Sequence, residues 1–115
     1  MITSSDYKRD WYGHIVNQCG HNCAGLVASV VLSYAGMSAV TSMTIVLVAY
    51  IVVIEFTLQP ESRPGESMMF DGFEDTIHFG IGAGLYWAIL AGGHNALILV
   101  VCWGVIIGVG AWLRR

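Results

Sequence analysis

The chain has 115 residues, of which 56% are hydrophobic and 11% are charged. A soluble domain normally carries about 25% charged residues, so this composition argues against an ordinary soluble fold. The net charge of −3 excludes a basic protein, and five basic residues spread over three segments form no patch for nucleic acid. Three cysteines, all within apolar stretches, argue against a disulfide framework.

Residues 1–19 combine aromatic side chains with the start of a polar stripe, which continues to residue 21 and whose members are four, four, three and four residues apart. The stripe comprises Asp6, Asp10, His14, Asn17 and His21. At 100° per residue these positions share one helical face. The favoured interpretation is an amphipathic helix in the membrane interface, with its polar face toward the headgroups. The alternative is that His14 and His21 turn inward as metal ligands or proton carriers.

Two long stretches, residues 11–54 and 76–113, contain no Asp, Glu, Lys or Arg. A membrane span needs about 20 mostly apolar residues, so each stretch has the length of roughly two spans. The sequence therefore predicts an all-α integral membrane protein with four transmembrane helices arranged as two hairpins, residues 20–56 and 76–113, in a single domain. Turns are expected at residues 36–38 and 91–95, which are rich in glycine.

The central loop, residues 57–75, contains both prolines and most of the acidic residues. Four spans would place this loop and both termini on one side of the membrane. All the basic residues fall on that side, namely Lys8, Arg9, Arg63, Arg114 and Arg115. The positive-inside rule makes that side cytoplasmic, and the inner membrane of a bacterium is the expected location.

Four residues near this side are candidate catalytic groups: Glu55, Asp71, Asp75 and His78. Glu55 ends an apolar run, and an ionisable group at membrane depth usually faces the protein interior. Asp71, Asp75 and His78 are spaced four and three residues apart, so they share a helical face where a carboxylate can orient the imidazole. The simpler interpretations are that Glu55 reaches headgroup water and that Asp71 or Asp75 caps a helix.

Small residues recur every four positions in three of the expected spans. They are Gly25, Ser29 and Ser33; Gly80, Gly84 and Ala88; and Gly104 and Gly108. Small residues allow membrane helices to approach closely, so these faces are expected to pack within the chain or in an oligomer.

Residues 55–86 resemble the VanZ-like membrane family, in which Glu-x-x-x-Gln at the end of a span precedes an Asp-rich start to a Gly-rich span. Glu55 and Gln59 match the first part of this pattern, and Asp71, Asp75 and residues 80–84 match the second. The whole chain also resembles small membrane proteins of phages and prophages, which begin with a segment like residues 11–21 and carry Glu-Asp before a Gly-rich last hairpin. Neither resemblance assigns a role to a residue.

Three functions are consistent with these features of the sequence. The favoured hypothesis is a phage holin-like protein that permeabilises the inner membrane by forming oligomers. The second is a VanZ-like membrane enzyme or lipid-handling protein that uses the Glu, Asp and His residues at the cytoplasmic rim. The third is an accessory subunit of a larger membrane complex. The lipid bilayer is an expected partner in each case, no nucleic acid is expected, and the sequence identifies no cofactor.

Overall fold

The computed structural model describes residues 10–53 and 68–114, and within these ranges the protein is entirely helical. Four helices follow one another: α1 (Trp11–Tyr34), α2 (Ala39–Tyr50), α3 (Met68–Ala91) and α4 (Gly93–Leu113). The prediction of an all-helical chain with four helices is therefore confirmed. Glu55 and the central loop as far as residue 67 lie outside the described residues.

Polar caps and glycines define the helix ends. The Asp10 carboxylate accepts a hydrogen bond of 2.9 Å from the Gly13 N–H, and Ser38 caps α2 in the same way through the Thr41 N–H. Gly36, with φ of +94°, lies in the turn after α1, and Gly92, with φ of +136°, separates α3 from α4. These backbone angles favour glycine. Both glycines lie within the ranges in which the sequence predicts turns, residues 36–38 and 91–95.

The bounds of two helices differ from the expected segment limits. Helix α1 runs without a break from Trp11 to Tyr34, so residues 11–19 belong to the same helix as the first expected span. Residues 68–75, expected as part of the central loop, form the first two turns of α3. Asp71 and Asp75 are the fourth and eighth residues of that helix, so neither is its N-cap. In both places the chain continues as a helix because the polar residues find partners on a neighbouring helix.

Helices α1 and α3 run in the same direction and approach closely. A Cβ atom at Gly82 would overlap the backbone carbonyl of Asn22, and one at Gly25 would overlap the carbonyl of Phe79. Gly25 belongs to a small-residue face that the sequence predicts, whereas Gly82 does not. The absence of both side chains lets the two backbones touch.

Helix α2 packs against this pair through an apolar core. Tyr50 stacks on Phe79 with ring centroids 4.0 Å apart, and Val46 and Ala83 complete the buried cluster. The small face of α3 predicted from Gly80 and Gly84 lies toward α2: Cβ atoms there would meet side-chain atoms of Leu47 and Met43 at 3.4 and 3.6 Å. The Ser33 and Ser42 hydroxyls form a 3.0 Å hydrogen bond between α1 and α2.

Helix α4 covers one side of the α1–α3 pair near the start of α1. The indole of Trp103 reaches His78, and the backbone at Gly110 lies against the ring of His14. The starts of α1 and α3 and the ends of α2 and α4 consequently meet at one end of the bundle. We call this the charged end, since it includes Glu74, Asp75 and Arg114.

Helices α1 and α4 are long and apolar enough to cross a membrane. Helix α2, counted to Val53, is apolar but shorter. Large apolar side chains are exposed along both candidate spans, and at Leu97, Val105 and Trp112 on α4 more than 60% of the residue surface is exposed. An apolar surface of this extent normally contacts another protein or a membrane.

A buried polar cluster as candidate functional site

Polar side chains from all four helices meet near the charged end, and we refer to them together as the polar cluster. Its members are His14, Gln18, His21 and Asn22 of α1, Tyr50 of α2, Glu74, Asp75 and His78 of α3, Trp103 of α4, and Arg114, which follows α4. His14 and Gln18 are 2% exposed and His78 is fully buried. The interior of this bundle end is therefore polar, while its surface is largely apolar.

The polar stripe of α1 consequently faces inward. The favoured sequence interpretation, in which this face contacts headgroup water, is wrong for His14, which is buried, and for His21, which pairs with α3. The reason is that two carboxylates of α3, Glu74 and Asp75, lie beside the polar stripe of α1. Buried polar groups are stable when they are hydrogen-bonded, and Asp75 accepts such a bond from Gln18 on the same face of α1.

Asp75 is held between two α1 side chains. Gln18 Nε2 donates to Asp75 Oδ1 at 2.8 Å, and His21 Nε2 lies 3.4 Å from Asp75 Oδ2. On its other side His21 Nδ1 lies 3.2 Å from the Tyr50 hydroxyl. Because a carboxylate beside an imidazole orients the ring, this Tyr–His–Asp chain has the arrangement of a proton relay.

His78 is held by α4. Trp103 Nε1 donates to His78 Nδ1 at 2.9 Å, and Asn22 Nδ2 makes a longer contact of 3.4 Å with the His78 carbonyl. The rings of His78 and His14 meet edge to face, with centroids 6.3 Å apart. His78 therefore lies at the contact of α1, α3 and α4.

Glu74 binds the end of α4. Arg114 Nη2 donates to Glu74 Oε2 at 2.7 Å, and Arg114 Nη1 donates to the Gly110 carbonyl at 3.1 Å. The second carboxylate oxygen of Glu74 is 3.8 Å from His14 Nε2. Both Glu74 and Arg114 have 16% of their side-chain surface exposed, so this pair is the part of the cluster nearer the surface.

The structure brings together some of the predicted site residues. Asp75 and His78 both belong to the polar cluster, but each is bonded to another helix: Asp75 to Gln18, and His78 to Trp103. Asp71 belongs to α3, but its side chain is not part of what the structure describes. Glu55 lies outside the described residues. The catalytic role proposed for these four residues stays a prediction.

The structure does not direct His14 and His21, the predicted metal ligands, toward one shared position. His14 approaches Glu74, and His21 approaches Asp75. Within residues 10–53 and 68–114, no three His, Cys, Asp or Glu side chains are grouped so that they could hold a metal ion.

Sequence reasoning missed several members of the cluster, including Gln18, Tyr50, Trp103 and Arg114. Gln18 carried a usable signal, because the positions of His14, Gln18, Asn22, Gly25 and Ser29 follow the intervals four, four, three and four that a buried helical face requires. Arg114 carried none, since a basic residue at the end of an apolar helix is typical of an interfacial anchor. Trp103 carried none either, because an aromatic residue in the middle of an apolar helix is equally consistent with a surface in lipid.

No protein-family model matches the chain, and no curated protein or solved structure is significantly similar to it. The features that indicate a function are therefore the geometry of the polar cluster and the apolar surface of the bundle.

Proposed function

We propose that the chain is an integral membrane protein with four spans and with its charged end at the cytoplasmic side of a bacterial inner membrane. Three features support this proposal. Helices α1 and α4 have the length and composition of spans, their outer faces are apolar, and the polar side chains are turned inward. Lipid is the partner that fits an apolar exterior around a polar interior.

This topology predicts which positions a membrane-impermeant maleimide labels in intact cells. In a variant with Cys19, Cys23 and Cys102 replaced by alanine, Met37→Cys and His94→Cys should be labelled from outside, because both turns lie opposite the charged end. A cysteine at Arg114 should react only after the cells are broken. Labelling of Arg114→Cys in intact cells, or protection of either turn, would contradict the four-span arrangement.

Within this fold we propose that the polar cluster is an acid–base site acting on the headgroup of a lipid or a lipid-like substrate at the cytoplasmic rim. The observation that carries this proposal is Asp75, an acidic residue that is 5% exposed and held between Gln18 and His21. Ionisable groups within membrane helices are costly and usually serve proton transfer, transport or substrate binding. The resemblance to the VanZ-like family implies a related, lipid-directed role.

In the mechanism that this geometry supports, Asp75 and His21 act as one unit. The carboxylate orients the imidazole, while the Tyr50 hydroxyl holds the opposite ring nitrogen. A substrate hydroxyl would lose its proton to the Tyr50 hydroxyl as that hydroxyl passes its own proton to His21 Nδ1, and the same relay run in reverse would return a proton to a leaving oxygen. Arg114, fixed by Glu74 at the more exposed part of the cluster, supplies a positive charge of the kind that binds phosphate.

The test is to express the protein in a bacterium and compare its lipid extract, by mass spectrometry, with that of cells expressing Asp75→Asn. We expect the wild-type chain to change the amount of at least one phospholipid class. The variant should reduce the rate of that change about a hundredfold or more, because it removes the carboxylate that orients the imidazole for acid–base catalysis. An unchanged lipid profile with folded wild-type protein in the membrane would overturn the proposal.

Asp10→Asn is the matched control. It makes the same chemical change at an exposed carboxylate, and asparagine caps a helix about as well as aspartate. This variant should retain the wild-type lipid change. Equal loss in both variants would mean that the effect is not specific to the cluster.

A holin-like permeabiliser is the second candidate, and a separate observation favours it. Gly104 and Gly108 lie on the exposed face of α4, where added Cβ atoms would meet nothing within 4 Å. Faces of this kind pack against other membrane helices, so a second copy of the chain could dock there. Sudden collapse of the membrane potential on expression, equally in wild type and Asp75→Asn, would favour this function over the acid–base site.

A further inference from the structure

Three buried polar atoms of the cluster have no hydrogen-bonding partner among the described residues: His14 Nε2, Gln18 Oε1 and His78 Nε2. All three side chains are at most 2% exposed. They are neighbours at the α1–α3 contact. His14 and Gln18 are one turn apart on α1, the His14 and His78 rings touch edge to face, and Gln18 binds Asp75, which is one turn before His78.

Trp103 fixes which nitrogen of His78 carries the proton. An indole N–H can only donate, so His78 Nδ1, which receives it at 2.9 Å, must present its lone pair. The neutral ring then carries its proton on Nε2. His78 Nε2 is consequently a donor that needs an acceptor, and it has no lone pair for a metal ion.

Asp75 fixes the orientation of Gln18 in the same way. A carboxylate accepts hydrogen bonds, so the amide nitrogen of Gln18 faces Asp75 Oδ1 and its oxygen faces the other way. Gln18 Oε1 is therefore an acceptor that needs a donor. A group that satisfies both side chains must accept from His78 and donate to Gln18, which is the property of an O–H group.

We propose that the α1–α3 interface binds one ordered water molecule between His78, Gln18 and His14. Complete burial limits the ligand to a very small one, and a buried water typically makes about three hydrogen bonds. His14 Nε2, which can donate or accept according to its tautomer, supplies the third. This inference depends on helix packing and holds whether or not the cluster is catalytic.

The water would join two parts of the cluster that protein contacts leave separate. On one side is the chain from Tyr50 through His21 and Asp75 to Gln18, and on the other is His14 with Glu74 and Arg114. With the water in place, a polar path runs from Tyr50 at the end of α2 to His14, which lies beside the Glu74–Arg114 pair. Since removing a well-ordered water costs its hydrogen bonds, the site also stabilises the contact between α1 and α3.

The test is nuclear magnetic resonance of the full chain with isotopically labelled histidine, in a deuterated phosphocholine detergent that carries no hydroxyl group. The nitrogen shifts of His78, assigned by their loss in His78→Phe, should show a neutral ring protonated at Nε2. The Nε2 proton should give a cross-peak to water with a residence time long enough to be detected.

Gln18→Leu should abolish the water cross-peak while the His78 tautomer, set by Trp103, is unchanged. Conversely, Trp103→Phe should allow the other tautomer to appear. The proposal is overturned if wild-type His78 is protonated at Nδ1, or if its Nε2 proton contacts only protein atoms. It is also overturned if the cross-peak appears only when a lipid with headgroup hydroxyls is added, because the ligand is then a lipid hydroxyl.

Discussion

Gly82→Ala should destabilise the protein strongly, because α1 and α3 are in backbone contact at this position. The added Cβ would overlap the carbonyl of Asn22, and a backbone atom cannot move aside as the end of a side chain can. Overpacking of this kind costs about 1–3 kcal/mol, and a clash with backbone lies at or above the upper end. Gly25→Ala, which would overlap the Phe79 carbonyl, should have a similar effect.

The measurement is the free energy of unfolding in mixed micelles, with Gly104→Ala and Gly108→Ala as controls. These residues also lie within a helix, but a Cβ there meets nothing within 4 Å. Alanine is about 1 kcal/mol better than glycine inside a helix, so both controls should be neutral or slightly stabilising. If Gly25→Ala and Gly82→Ala were as stable as the two controls, α1 and α3 would not approach closely at these positions.

The controls also separate two roles of the small-residue faces. If Gly104 and Gly108 pack against a second copy of the chain, their alanine variants should weaken an oligomer without lowering the stability of the monomer. Measuring sedimentation and unfolding on the same samples distinguishes contact within the chain from contact between chains.

The helices and turns were largely predictable because hydropathy and glycine position determine them locally. Long uncharged stretches indicate helices, and Gly36 and Gly92 adopt backbone angles that other residues avoid. The start of α3 was not predictable in this way, since its first two turns contain acidic residues that are typical of a loop. Those turns are stabilised by tertiary contacts with α1 and α4, which local sequence does not encode.

The candidate site was predictable only in part for the same reason. The spacing of Asp75 and His78 placed them on one face of a helix, but it could not show that their partners lie on other helices. The contact between His78 and Trp103 joins residues 25 positions apart, and the contact between Gln18 and Asp75 joins residues 57 apart. Pairings at such separations depend on which faces of the helices meet, and here two glycines, Gly25 and Gly82, determine that choice.

Asp75→Ala should cost about 3 kcal/mol or more of unfolding free energy, because it leaves Gln18 and His21 buried or half-buried without their carboxylate. Removing one partner of a buried polar pair is among the most destabilising single changes. Asp75→Asn should cost less, since the amide oxygen can still accept from Gln18 Nε2. The measurement is the free energy of unfolding of both variants in mixed micelles. Asp75→Ala should be less stable than Asp75→Asn. Equal stability of wild type and Asp75→Ala would mean that the carboxylate is not buried as the structure places it.

Replacing the whole group by apolar residues separates stability from function. In the triple variant Gln18→Leu, His21→Leu, Asp75→Leu, the three polar side chains that bond one another are removed together. Exchanging buried ionic groups for apolar ones of similar volume is often neutral or stabilising. The free energy of unfolding of this variant should therefore lie within about 1 kcal/mol of the wild-type value and well above that of Asp75→Ala. Its lipid activity should nevertheless be absent.

If the triple variant is instead as unstable as Asp75→Ala, the cluster serves to align α1 with α3. If it is stable but inactive, the bundle does not need these groups for folding, and their presence inside an apolar bundle is explained by the chemistry they perform.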